Sequence, residues 1–125
     1  MVNDTELFFA VAANEVWEVT ISIRPDSGAT PDIAYILTMP AGGDFEGLYI
    51  GRDNAEAISV KKISTGSMAA GGGFGAGTVY PAIIKGVAIN AGNAGNFQLK
   101  WAQNVANASD TKVLTNSCII AHRIA

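Results

Sequence analysis

The chain has 125 residues, 49% of them hydrophobic and only 15% charged, and its net charge is −3. This length suits one domain with a hydrophobic core and is too short for two. Because an average domain has about 25% charged residues, the low charge content predicts that part of the surface is hidden in an assembly. The eight lysines and arginines form no cluster beyond Lys61 and Lys62. Nucleic-acid binding needs a basic stripe, so we expect no nucleic-acid partner.

The cysteine content and the N-terminal sequence indicate the compartment. Cys118 is the only cysteine, so no intrachain disulfide can form, and its apolar neighbours predict an inert, buried thiol. Residues 1–6 lack the basic and apolar regions of a signal peptide. No apolar run approaches the roughly 18 residues of a membrane span. We therefore expect synthesis in a reducing cytoplasm and no membrane partner.

The first half of the chain predicts strands rather than helices. Residues 15–24 form the clearest strand, because β-branched residues are frequent and apolar residues recur with a period of two. Residues 25–31 combine proline, aspartate and glycine and predict a turn. On a later strand, Ile58 and Val60 are expected to point inward. The strands predicted in this half span residues 7–13, 15–24, 32–39, 47–50 and 55–63.

The second half predicts a glycine-rich loop at residues 64–79 and then the strands that close the fold. Residues 80–90 read as one strand, with a bulge at Gly86. In residues 96–102 apolar and polar side chains alternate, as in a half-buried strand. Residues 118–124 carry apolar groups on both faces, which predicts a strand that is covered on each side. A short strand at 111–115 completes the set.

About eight strands, turns that contain glycine or proline and the lack of a helical pattern define the predicted fold class. We expect an all-β protein with a single antiparallel β-sandwich of jelly-roll type. The sandwich would span residues 1–125, with residues 1–6 as a short N-terminal segment and 64–79 as a loop. No internal repeat is present.

The candidate residues for catalysis or ligand binding are isolated in the sequence. Residues 71–76 match the spelling of a dinucleotide fingerprint, but neither a buried strand nor a helix flanks them, so a plain loop is the better interpretation. His122 is the only histidine, whereas triads and metal sites need several partners. It is either a hydrogen-bonded histidine in the interior or an interface, or a residue on the axis of a trimer. We expect no catalytic residue, no metal site and no cofactor.

Several segments resemble, in the same order, a module of tailed-bacteriophage virion proteins. These segments are Ala-Asn-Glu-Val-Trp-Glu-Val at 13–19, Asp-Ile at 32–33 with Met-Pro-Ala-Gly-Gly at 39–43, Ala-Gly-Asn-Phe-Gln-Leu-Lys-Trp-Ala-Gln-Asn at 94–104 and the closing Ser117 with Ala-His-Arg-Ile at 121–124. The resemblance covers nearly the whole chain at the level of pattern. It implies a jelly roll like that of tumour necrosis factor, usually assembled as a homotrimer. Such modules occur in capsid decoration proteins, head fibres and tail tips.

The resemblance implies a phage capsid decoration protein that binds the major capsid protein on the virion surface as a trimer. We expect the trimer interface or core to contain Trp17, Phe97, Leu99, Trp101, Gln103, Cys118, Ile120, His122 and Ile124. We expect outer-loop contacts from Asp26, Ser27, Gly28, Gly72, Gly73, Phe74 and Gly75. The alternative is a receptor-binding tip or a head- or tail-fibre module that recognises a glycan or protein of the host surface. A small cupin or glycosidase is the least favoured interpretation, because a cupin site needs several histidines.

Overall fold

Two antiparallel sheets make up the computed structural model, which describes residues 2–28, 30–53, 55, 57–75 and 77–125, without the side chains of Val2 and Met68. One sheet has the strand order β1-β9-β4-β7, the other has the order β11-β2-β8-β5-β6, and β3 pairs with β10. The strands are β1 (Val2–Val11), β2 (Val16–Ile23), β3 (Pro25–Asp26), β4 (Ile33–Thr38), β5 (Asp44–Arg52), β6 (Ile58–Ile63), β7 (Met68–Gly71), β8 (Ala82–Ile89), β9 (Gly95–Gln103), β10 (Lys112–Val113) and β11 (Cys118–Arg123). No helix occurs in the described part of the chain. The predicted all-β class and antiparallel pairing are therefore confirmed.

The core lies between the two sheets and follows the period-two pattern of the sequence. On β2, Val19 and Ile21 are fully buried, and on β9 so are Phe97 and Leu99. Aromatic rings connect the sheets, since Phe97 packs edge-on against Phe45 with their ring centroids 5.3 Å apart. Such pairs stabilise a core beyond the burial of their area. The sandwich thus has one continuous apolar interior.

The N-terminal residues belong to the first strand, which begins at Val2 and not at residue 7 as predicted. Strand β1 begins at Val2, which pairs with Trp101 of β9, and the register shifts between Asn3 and Phe8. Asp4 stabilises this irregular stretch, because its Oδ1 accepts the backbone N–H of Leu7 at 2.8 Å and its Oδ2 accepts the indole N–H of Trp101 at 3.0 Å. Met1 lies outside the described residues.

Two predicted loops contain strands. Strand β3 lies in the predicted turn 25–31, and β7 lies in the predicted loop 64–79, where it pairs with β4. Alanine and glycine have weak strand propensity, so pairing with β4 rather than local preference defines β7. Ala29 and Ala76 of these two segments lie outside the described residues, as does Glu56 of the predicted strand 55–63.

The inward direction predicted for Ile58 and Val60 is wrong. They are 64% and 61% exposed, whereas Ile63 is fully buried. Strand β6 offers apolar residues on both faces, and its pairing with β5 sets Ile63 opposite Gly47 on the core side. A shift of one residue would invert every side chain, so the partner strand rather than local hydrophobicity decides the direction.

Cys118 is exposed, which corrects the prediction of a buried thiol. Strand β11 is the outermost strand of the five-stranded sheet, and Cys118 pairs in register with Ser22 on the face that points away from the core. The prediction of cover on both sides of residues 118–124 therefore does not hold within one chain, since Ile120 is 66% exposed.

Candidate functional site

The two predicted outer loops meet at one end of the sandwich. Gly75 donates its backbone N–H to the carbonyl oxygen of Ser27 at 3.2 Å, and Gly77 donates to Asp26 Oδ1 at 2.8 Å. Ser27 is buried, and its hydroxyl donates to the carbonyl of Asp32 at 2.9 Å. The structure therefore brings the turn 25–31 and the glycine-rich segment into direct contact, although more than 40 residues separate them in sequence.

Close backbone packing explains the glycines of this segment. A Cβ on Gly73 would lie 2.3 Å from the carbonyl oxygen of Gly28, and one on Gly72 would lie 2.0 Å from that of Asp53. Real Cβ atoms do not approach backbone oxygens so closely. Asp32 adds a fixed contact, because its Oδ1 accepts the N–H of Gly73 at 2.9 Å. The loop formed by residues 72–75 and 77–81, called the Phe74 loop below, is therefore tightly packed at its start.

An arginine and two aromatic rings cluster beside this loop. The guanidinium carbon of Arg52 lies 4.4 Å from the ring centroid of Phe74 and 5.9 Å from that of Tyr80. The two rings are nearly parallel, at 15°, with centroids 5.6 Å apart. Arg52 is 8% exposed, whereas Phe74 is 53% exposed. A cation beneath an aromatic face attracts it electrostatically, so the cluster fixes Phe74 at the surface.

Two tyrosines lie beneath the cluster, and burial raises the pKa of each. Burial, followed by the carboxylates of Asp53 and Asp32, raises the pKa of Tyr49 to about 12. Burial and then Tyr49 also raise the pKa of Tyr35 well above its usual value. The Tyr49 hydroxyl donates to the carbonyl of Arg52 at 2.9 Å. Both phenols therefore stay protonated near neutral pH, and both are buried in the core.

A second candidate site is the face of the five-stranded sheet that points away from the core, called the outer face below. Among the described residues it exposes seven large apolar side chains, each between 37% and 66% accessible: Leu48, Ile50, Ile58, Val60, Ile83, Ile89 and Ile120. In register, Ile83, Ile50 and Val60 form one cross-strand row. Thr20, Lys85, Leu48 and Lys62 form the next row. An apolar patch of this kind, with charges interspersed, typically marks a protein–protein contact.

A third feature is a cleft of about 500 Å³ along the open edge between β1 and β11, called the edge cleft below. Its apolar lining includes Phe8, Phe9, Trp17, Cys118 and Ile119. The Phe9 ring lies 5.2 Å from that of Trp17 and 5.1 Å from that of Phe97, so aromatic contacts extend from this cleft into the core. The indole N–H of Trp17 donates to Glu15 Oε2 at 2.7 Å. The edge cleft adjoins the outer face, because both include β11.

The nine residues predicted for a trimer interface or core fall into five places. Phe97 and Leu99 are core residues, and Trp101 is half-buried beside Asp4. Trp17 lines the edge cleft. Gln103 contacts the following loop, where its Oε1 accepts the N–H of Asn107 at 3.2 Å. Cys118, Ile120 and His122 lie on the outer face, and Ile124 follows the end of β11.

The seven residues predicted for outer-loop contacts all lie together at the end of the sandwich where the turn 25–31 meets the glycine-rich segment. This end is called the loop end below. Sequence reasoning missed Arg52 and Tyr80, which support Phe74, and it missed the outer face of β5 and β8. A signal for the outer face exists in the sequence, because adjacent residues such as Ile83 and Ile84 place apolar groups on both sides of one strand. A signal for Arg52 does not exist, because its partners come from a distant segment.

The described residues contain no group of three or more histidine, cysteine, aspartate or glutamate side chains arranged to hold a metal ion. Among these residues, too, no helix is long and apolar enough to cross a membrane. No protein family, no curated protein and no solved structure matches the chain. The resemblance of its motifs to a phage virion module therefore stays a prediction.

Proposed function

We propose that this protein is a non-catalytic structural protein that assembles as a homotrimer and decorates the outer surface of a phage capsid. The observation that supports assembly best is the outer face. Ile83, Leu48 and Ile120 are 41%, 46% and 66% exposed in the middle of regular strands. At about 25 cal/mol for each Å² of apolar surface removed from water, covering such a face strongly favours association. The viral setting is supported by the sequence resemblance.

The arrangement of the two apolar surfaces supports a closed ring. In a ring of identical subunits, one surface of each subunit contacts a different surface of the next. The outer face and the edge cleft offer two such surfaces, and both include β11. A ring of three subunits would bury part of each of them. Ile120 and Cys118 would then lie close to the contact between neighbouring subunits.

The path of the chain supports a jelly roll as the finer fold. Strand β1 belongs to the four-stranded sheet, β2 to the five-stranded sheet, β4 to the first again and β5 to the second. The chain crosses back with β7, β8 and β9. Repeated crossing between two antiparallel sheets is the connectivity of jelly rolls and related Greek-key sandwiches.

Capsid binding would act through valency. A trimer presents three copies of each loop end, so weak individual contacts with the major capsid protein add through high effective concentration. A single contact need bury no more than the low end of the usual range for transient interfaces, below about 1,200 Å² in total. The same contacts, repeated over a lattice, would hold neighbouring capsid subunits together.

The copy number of this chain in purified virions tests the proposal. Quantitative mass spectrometry against the major capsid protein should give hundreds of copies per particle, in a ratio compatible with trimers at repeated lattice positions. A handful of copies would place the protein in the tail or at a unique vertex and contradict lattice decoration. Absence from the particle would reject the structural role in virions altogether.

A further inference from the structure

Phe74 combines a large exposed surface with a fixed position. Its side chain is 53% exposed, yet the backbone on both sides of it is held. Gly73 donates its N–H to Asp32 Oδ1 at 2.9 Å, and Gly75 donates to the Ser27 carbonyl at 3.2 Å. An exposed aromatic that is held in place loses little conformational freedom when a ligand binds.

Arg52 lies against one face of the Phe74 ring, and the side chain is still 53% exposed. The Arg52 guanidinium lies 4.4 Å from the Phe74 centroid, and the Tyr80 ring lies 5.6 Å from it. The Arg52 guanidinium carbon is also 5.9 Å from the Tyr80 centroid, so the three groups form one cluster. Because Arg52 occupies one face of the Phe74 ring and the side chain is still 53% exposed, its exposed surface includes the face opposite Arg52.

This arrangement suits Phe74 to stacking against a flat ligand rather than to insertion into a partner's pocket. An aromatic side chain that inserts into a partner's pocket needs both of its faces and its edge free, whereas Phe74 offers one flat face. Flat aromatic faces bind ligands that have a flat apolar side, through stacking and dispersion. The ligand class is thus limited to sugars, nucleobases and the flat side of an extended peptide.

The charges around the platform decide between these classes. Phosphate contacts dominate nucleic-acid affinity, and Arg52, the cation of the cluster, is 8% exposed and lies behind the ring. Two carboxylates lie near the cluster instead. Asp26 Oδ1 accepts the N–H of Gly77, and Asp53, the residue after Arg52, uses its Oδ1 to accept the N–H groups of Ala55 and Ala57. The backbone N–H of Ala57 lowers the pKa of Asp53, so this group is ionised at neutral pH. Carboxylates repel phosphate and accept hydrogen bonds from hydroxyl groups.

We propose that the open face of Phe74 is a stacking platform for a hexopyranose ring of a neutral glycan, with Asp26 and Asp53 as acceptors for its hydroxyl groups. The C–H groups on one side of a β-hexopyranose form the flat apolar surface that such a face binds. The site is independent of the proposed trimer, because all of its residues come from one chain. Three copies in a trimer would raise a weak affinity through valency.

Saturation-transfer NMR tests the site with methyl β-D-galactopyranoside and methyl β-D-glucopyranoside as probes. We expect transfer from aromatic protons to the C–H protons on one face of the sugar ring. Phe74→Ala should lower the affinity about tenfold, the equivalent of losing one aromatic stack, and Phe74→Trp should keep or raise it. Phe74→Leu retains packing against Arg52 but removes the aromatic face, so it should lower the sugar affinity as Phe74→Ala does. Phe74→Leu therefore tests the site even if Phe74→Ala folds poorly.

Phe8→Ala is the matched control, because Phe8 is an aromatic residue of similar exposure, 44%, that lies at the edge cleft. It should leave sugar binding unchanged. The proposal would be overturned if the protein transferred saturation to neither sugar. It would also be overturned if saturation transfer persisted in both Phe74→Ala and Phe74→Leu. Binding of a proline-rich peptide in place of the sugars would also overturn it, in favour of a peptide site.

Discussion

The two faces of the five-stranded sheet have similar amino-acid types and opposite environments. On the inner face, Phe45, Tyr49 and Ile84 are at most 1% exposed, whereas on the outer face of the same strands Leu48 and Ile83 are 46% and 41% exposed. In ordinary sandwiches the outward residues are polar. The difference shows that this sheet buries one apolar face within the chain and exposes a second apolar face to solvent.

Adjacent isoleucines on β8 provide the sharpest test of this comparison, and the largest expected effect. Ile84→Ala should lower the free energy of unfolding by about 2–5 kcal/mol, because it removes buried methylene groups and leaves a cavity. Ile83→Ala, measured at a concentration too low for association, should change it by less than about 1 kcal/mol. Urea denaturation followed by tryptophan fluorescence measures both. Equal losses would contradict the distinction between the two faces.

Charges on the outer face should prevent association without unfolding the chain. The double variant Leu48→Lys/Ile83→Lys should raise the dissociation constant of the oligomer at least about 100-fold, as loss of a hot spot does. Val105→Lys is the control, because Val105 is a 53% exposed apolar residue in the loop between β9 and β10. Sedimentation velocity measures the effect. An unchanged oligomer in the double variant would show that the outer face is not the contact surface.

The buried tyrosines should make the free energy of unfolding depend on pH at high pH. Because the pKa of Tyr49 is raised to about 12, the folded chain holds this proton more tightly than the unfolded chain does. The resulting stability is fully present below pH 10 and is lost as the pH rises from 10 to 12, by about 2–3 kcal/mol. Urea denaturation at pH 9, 11 and 12 should show this loss, and Tyr49→Phe should reduce its slope. An identical slope in the variant would contradict the burial of this phenol.

Glycines test the packing of the loop end, with the smallest expected effect. Gly73→Ala should destabilise the fold by about 1–3 kcal/mol, because its Cβ would overlap the carbonyls of Gly28 and Ser27. Gly92→Ala should be nearly neutral, since nothing lies within 4 Å of its Cβ position. Thermal denaturation compares the two variants. A neutral Gly73→Ala would mean that the two loops are not in close contact.

Local pattern was sufficient for most of the fold and for little of the site. The alternation in residues 15–24 and 96–102 predicted the strands and the buried positions of Val19, Ile21, Phe97 and Leu99, because period and burial are linked within a single strand. It failed for Ile58 and Cys118, whose directions depend on which strand pairs with which. The Phe74 cluster depends on contacts between segments more than 20 residues apart, and no local pattern encodes such contacts.

The mass of the purified protein in solution, measured by light scattering on a size-exclusion column at about 100 μM and again after tenfold dilutions, tests the central claim most directly. Assembly through the outer face predicts a species of three times the chain mass of 12.9 kDa, which becomes monomeric in Leu48→Lys/Ile83→Lys. A monomer at every concentration, with the outer face exposed to water and the chain still soluble, would contradict it.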